Sequence, residues 1–112
     1  SPAEWLRRLQ KHADKGNAEA QAQLGQKYHA GGFGLQKNAK RAVQLCHLAA
    51  AQGHAAAQFA IGRSYEVGEG VHYKTAVQWY RRAAEQEFPD ARGNLGVMFF
   101  YGKGVAQSYD EA

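Results

Sequence analysis

Cys46 and His47 are the residues best suited to covalent chemistry, a thiol and an imidazole that would form a nucleophile and its base if they faced each other. They are adjacent, not spaced by a helical turn, so on a helix their side chains diverge. Cys46 also occupies the place that Leu9 and Tyr80 take in the repeat described below, a place for packing. A buried cysteine is usually inert. His12, His29, His54 and His72 are scattered, and none makes the short-spaced Cys or His pair of a tetrahedral metal site. The glycine-rich segments follow no strand and contain no Gly-Lys-Ser/Thr, so they do not read as phosphate loops. These residues predict no enzyme, no metal and no cofactor.

The basic residues are a second candidate. Arg7, Arg8 and Lys11 recur in register as Gln44, Leu45 and Leu48, and only then do Arg81 and Arg82 follow. A nucleic-acid surface needs a stripe that continues from unit to unit. This one is interrupted, and Glu85 is placed to pair with Arg81 one turn away. A solvated face is the better reading, and no nucleic-acid partner is expected.

The elements that carry these side chains repeat. Leu24-Gly25-x-x-Tyr28 returns as Ile61-Gly62-x-x-Tyr65 and as Leu95-Gly96-x-x-Phe99, about every 36 residues. A glycine turn follows each: Gly31-Gly32-Phe33-Gly34, Gly68-Glu69-Gly70-Val71 and Gly102-Lys103-Gly104-Val105. A period of that length marks a solenoid. Its units cannot bury their apolar faces alone, so they stack and leave a curved surface that other chains bind.

Apolar positions follow a helical period and β-branched residues are scarce. Six helices are expected, over about 2–15, 18–30, 38–52, 54–67, 73–86 and 89–101. Those bearing the Leu-Gly pair are called A, and those after the glycine turns B. The B helices align as Trp5-Leu6-Arg7-Arg8-Leu9, Ala42-Val43-Gln44-Leu45-Cys46 and Ala76-Val77-Gln78-Trp79-Tyr80. A glycine inside a helix costs about 1 kcal/mol against alanine. Its return at Gly25, Gly62 and Gly96 therefore implies a B helix in close approach, with Tyr28, Tyr65 and Phe99 filling the core one turn on.

The string Leu-Gly-x-x-Tyr-x-x-Gly-x-Gly-Val, followed by Lys/Glu-Ala-x-x-Trp-Tyr-x-x-Ala-Ala, resembles the Sel-1-like repeat (SLR), a relative of the tetratricopeptide repeat. Phe99, Gly102, Gly104, Val105, Ser108, Glu111 and Ala112 match its helix-to-helix passage, and Ala76, Trp79, Tyr80, Ala83 and Ala84 its second helix. The turns depart in length, and Glu87-Phe88-Pro89-Asp90 enters the third A helix where the earlier ones have glycine. The fold class expected is all-α, a right-handed α-solenoid of antiparallel helix pairs with about three repeats. Residues 1–16 would be the second helix of a preceding repeat, 17–53 repeat 1, 54–87 repeat 2 and 88–112 a partial repeat 3.

In such repeats the A helices line the concave face. The resemblance therefore implies a scaffold or adaptor that holds a partner peptide or helix there. The partner-binding residues expected are Gln26, His29, Phe59, Arg63, Glu66, Val97, Phe100 and Tyr101, with Glu19, Ala22, Ala56, Asp90 and Gly93 in the same register. A structural spacer or oligomerisation module, self-associating through the C-terminal edge at Val97-Met98-Phe99-Phe100-Tyr101, is the alternative. A hydrolase of cell-wall-type ligands, linked to some secreted relatives, would need a convergent set of catalytic groups that the chain does not show.

Composition agrees with a folded binding module. Hydrophobic residues make up 45% and charged residues 21%, as in a globular chain. The net charge of +4 is only mildly basic, and no apolar run is long enough to cross a membrane. No secretory leader opens the chain, which begins and stops within the repeat pattern. Cys46 is the single cysteine, where some secreted relatives carry a disulfide in each repeat, so a cytoplasmic or other reducing compartment is favoured.

Overall fold

A computed structural model describes residues 1–32, 35–67 and 72–105. The expected turn residues Phe33, Gly34 and Gly68–Val71, and the start of a further B helix after Val105, lie outside the described residues. Six helices of equal length make up the described structure: α1 (Pro2–Asp14), α2 (Ala18–Ala30), α3 (Ala39–Ala51), α4 (Ala55–Val67), α5 (Tyr73–Glu85) and α6 (Pro89–Tyr101). Among the described residues the sole β-type pairing is an isolated bridge between Gly32 and Leu35. The fold is an all-α solenoid of repeated helix pairs.

Local chemistry sets the helix ends. Ser1 and Glu4 close a capping box on α1, and Pro2 occupies its first turn, where no backbone donor is lost. Asn17 and Asn38 accept from Ala20 N at 2.8 Å and Arg41 N at 3.0 Å, which starts α2 and α3. His54, expected inside α4, instead caps it: its Nδ1 accepts from Ala57 N at 3.2 Å. Gly16 and Gly53 enter their A helices with φ of 94° and 92°. At the equivalent place Glu87 takes φ 60°, an αL conformation disfavoured for a residue with a Cβ.

The chain forms two compact units, residues 1–57 and 58–112. In the first, α1 packs on α2 and α2 on α3. Leu9, Ala13, Ala20, Leu24 and Leu45 form the core, with Leu6 and Tyr28 packed partly buried against it. A Cβ on Gly25 would stand 3.3 Å from Ala42 O and 3.4 Å from Leu45 Cβ, the close approach that the internal glycine implied. In the second unit α5 packs on α6, and Ile61, Ala76, Val77, Tyr80, Ala83, Met98 and Phe99 are buried. There a Cβ on Gly62 would fall 2.7 Å from the Tyr80 ring. Tyr65, assigned to the core with Phe99, is half-buried and sets its ring against His72 at 6.0 Å.

Two buried polar groups complete the frame. Gln21 accepts from Gln52 Nε2 at 2.8 Å and donates to Ala13 O at 3.3 Å, so its amide is satisfied within the first unit. Gln58 accepts from Gln86 Nε2 at 3.1 Å in the second. Each pair ties an A helix to the C-terminal end of the B helix that follows it. Burying an amide is tolerated only with such partners.

Candidate functional site

Each expected partner-binding residue sits on an A helix, but their surroundings differ. In the first unit Gln26 and His29 are exposed on α2, while Ala22, assigned to the same face, is buried. Glu19 receives two hydrogen bonds, from Gln23 at 3.0 Å and from the His54 ring at 2.6 Å. Those bonds, the Gln23 amide first, hold its carboxyl below the usual carboxylate range.

The second unit is more elaborate. Arg63, Glu66 and Val97 line a cleft of about 260 Å³ together with Val67 and Asn94. Its organising group is Tyr80, fully buried at the position that Cys46 occupies in the first unit. The Tyr80 hydroxyl donates to Glu66 Oε1 at 2.6 Å and accepts from Asn94 Nδ2 at 3.2 Å. Burial and the adjacent Glu66 carboxylate both push the phenol well above its ordinary value, so it remains a donor at any physiological pH. A core side chain from α5 thus fixes one cleft residue on α4 and another on α6.

Phe59 is drawn away from solvent. Its ring is half-buried and lies 5.7 Å from Tyr80 and 5.4 Å from Phe88, so much of its surface is spent on packing within the unit. Val97, Phe100 and Tyr101 are 51%, 45% and 66% exposed on α6, and the last two rings meet edge to face at 5.0 Å. Val67 is 65% exposed on α4.

Asn94, Val67 and Tyr80 are absent from the site predicted by sequence. For two of them a signal was available: Asn94 lies four residues after Asp90 and three before Val97, and Val67 four after Arg63, on the same helical faces. Tyr80 gave none, because at its position Leu9 and Cys46 are ordinary apolar residues.

The other candidate chemistry stays dispersed. Cys46 is half-buried, and its thiol donates to Ala57 O at 3.5 Å. Burial pushes that thiol up, away from nucleophilic character. No group of three or more metal-ligating side chains occurs among the described residues. Arg81, expected beside Glu85, instead lies over the Phe99 ring at 5.1 Å, and Arg82 over Trp79 at 4.7 Å. A hollow of about 520 Å³ in the first unit runs along α3 at Val43, His47 and Leu48, and the described residues that line it all belong to that one helix. No helix among the described residues is long and apolar enough to cross a membrane.

Comparison with known proteins places this arrangement. Residues 89–112, 55–88 and 18–54 each match the Sel1 repeat. Among curated proteins, chitin synthase regulatory factor 3 of Schizosaccharomyces pombe is 41% identical over 74% of the chain, which spans 9% of that protein. An ERAD-associated E3 ubiquitin-protein ligase component of Arabidopsis thaliana is 32% identical over 93% of the chain and 17% of its own length. A chitin synthase regulator of Saccharomyces cerevisiae is 33% identical over 85% of the chain and 14% of its own length. The chain therefore spans a small part of each of these relatives. Among solved structures, a protective antigen of uropathogenic Escherichia coli strains displaying an SLR fold superposes with a TM-score of 0.87 at 39% identity, covering 95% of this chain and 23% of that one. A Sel1 repeat protein from Oxalobacter formigenes gives 0.85 at 36% identity, covering 92% and 78%. With three successive matches that take in every residue from 18 to 112, the chain belongs to the Sel1 repeat family.

Proposed function

We propose that the chain is an adaptor segment that holds a peptide or helix of a partner protein against the solvent-facing sides of its A helices. Gln26, His29, Phe59, Arg63, Glu66, Val97, Phe100 and Tyr101 are the contact residues. The observation that carries this reading is the exposed apolar surface of α6, where Val97, Phe100 and Tyr101 face solvent on one short helix. Aromatic and branched side chains left in water beside a few orienting polar groups are what a binding surface offers. The regulatory and ligase-component names of the relatives fit a chain that positions other proteins and does no chemistry itself.

A photo-crosslinking amino acid at Val97, with Gln78 on α5 as the control site, tests it in an extract of the source cells. Crosslinks to a distinct protein from position 97 and not from 78 are expected. Equal labelling from both sites would sink the reading.

A second reading has its own support. The same α6 surface would serve a spacer or oligomerisation module that meets a second copy of itself. Sedimentation over a hundredfold range of concentration separates the two readings, since a constant monomer mass removes self-association.

A further inference from the structure

The three A helices start in three different ways. Asn17 caps α2 through its Oδ1, which accepts from Ala20 N at 2.8 Å, and α6 follows Phe88 with no side-chain cap. α4 follows His54, whose Nδ1 accepts from Ala57 N at 3.2 Å while its Nε2 lies 2.6 Å from Glu19 Oε2. Of the three cap residues, only the imidazole is of a kind that titrates near neutral pH.

The two contacts fix where the ring carries its proton. Ala57 N–H needs a lone pair on Nδ1, so that nitrogen is bare. The single ring proton is therefore on Nε2, which donates it to the Glu19 carboxylate. A second proton can go only to Nδ1, and there it would point at Ala57 N–H, donor against donor. Glu19 keeps the ring from turning aside. The Gln23 amide and His54 hold its carboxyl below the usual carboxylate range, so it is still charged when an imidazole protonates. The charged ring thus tightens on Glu19 and releases Ala57. The helix dipole also opposes a cation at the start of α4.

The elements around the ring bring one charged group to it. Among the described residues Glu19, from α2, is the partner paired with the imidazole. α3 ends in Leu48-Ala49-Ala50-Ala51, and Ala49 O accepts from His54 N at 3.2 Å. α4 opens with Ala55-Ala56-Ala57, and its first charged residue is Arg63.

We propose that His54 is a proton-sensitive cap: neutral, it starts α4, and protonated, it stays on Glu19 and lets the first turn of α4 open. The Asn17 cap of α2 does not respond. The device is independent of the adaptor reading and adds to it a means by which acid loosens one A helix and spares another.

Ring-nitrogen NMR and amide exchange on the intact 112-residue chain, at about pH 8 and about pH 5, test the proposal. At the higher pH His54 is expected to show a bare Nδ1 and a protonated Nε2, and at the lower pH both nitrogens protonated. Protection of the Ala57 amide, taken relative to the unstructured rate at each pH, should fall about five- to tenfold between the two, and that of Ala20 should stay level. His54→Asn supplies the same kind of cap that Asn17 makes, without a titrating group, so Ala57 protection in that variant should stay level as well. A proton on Nδ1 at the higher pH, or unchanged Ala57 protection in the wild type, would overturn the proposal. An equal fall in His54→Asn would do so too, since the titrating group would then lie elsewhere. A parallel fall at Ala20 would replace the local opening with a loss spread over the chain, and would likewise overturn it.

Discussion

The two units carry the same Leu-Gly frame and fill one position differently. In the first, Cys46 stands at the place where α3 faces α2, and its thiol reaches no further than Ala57 O. In the second, Tyr80 takes that place on α5, and its ring fills the space a Cβ on Gly62 would need while its hydroxyl reaches Glu66 and Asn94. A short side chain leaves the repeat a plain packing unit. A long one with a polar tip converts the same backbone into a unit whose surface groups are organised from inside. One residue in the interior of a B helix thus decides whether an A-helix face is merely exposed or is held in a defined geometry.

Exchanging the residue is the strongest way to break this comparison. Tyr80→Cys removes a fully buried ring, and a loss of about 3–5 kcal/mol in urea unfolding is expected. Gly62→Ala is next, at about 1–3 kcal/mol, because the new Cβ would fall 2.7 Å from the ring of the fully buried Tyr80. Gly25→Ala should stay within about 1 kcal/mol of wild type, since its 3.3–3.4 Å contacts need only a small adjustment and alanine favours the helix. In a Tyr80→Cys background the Gly62→Ala penalty should shrink to the Gly25 value. A penalty that is unchanged there would show that the ring is not what excludes a side chain.

Tyr80→Phe keeps the ring and removes the hydroxyl. A loss of about 1–2 kcal/mol is expected, as Glu66 and Asn94 lose a common partner. Wild-type stability would mean that water replaces the hydroxyl without cost.

The turns into the A helices give a smaller contrast, of opposite sign. Gly16 and Gly53 adopt the left-handed region freely in the first unit, and Glu87 adopts it at a cost in the second. Glu87→Gly should stabilise the chain by about 0.5–1 kcal/mol, read as a higher urea midpoint. The smallest effect concerns Glu19, whose folded pKa is depressed by Gln23 and His54. Its contribution is present above the ordinary carboxylate range and fades as pH falls through the lower folded value. Stability measured over that acid range should therefore fall less steeply in Glu19→Gln than in wild type.

Much of the frame was legible in the residues. Asn17, Asn38 and Pro89 mark helix starts because capping and φ restriction act within a few residues. The internal Gly25 and Gly62 announced close helix approach because an unfavourable residue recurring in register needs a compensating contact. The candidate site was legible in part. Arg63, Glu66 and Val97 were found by extending the register from the Leu-Gly pair, and they line one cleft. Phe59 followed the same register, but its ring packs against Tyr80 and Phe88, which are 21 and 29 residues further along the chain.

What the sequence determined by itself is the set of properties that short-range chemistry controls: the six helices, several of their starts and the repeat. What only the tertiary structure decided is which side chains share a space. Tyr80 looks like one more apolar residue until the fold sets its hydroxyl between α4 and α6, 14 residues from Glu66 and 14 from Asn94. Gln21 and Gln58 look like surface amides until Gln52 and Gln86 enclose them. Periodicity records which face of a helix is apolar, but it holds no record of the distance to a side chain on another helix. That distance is set by packing volume, and it is where the polar order of the cleft originates.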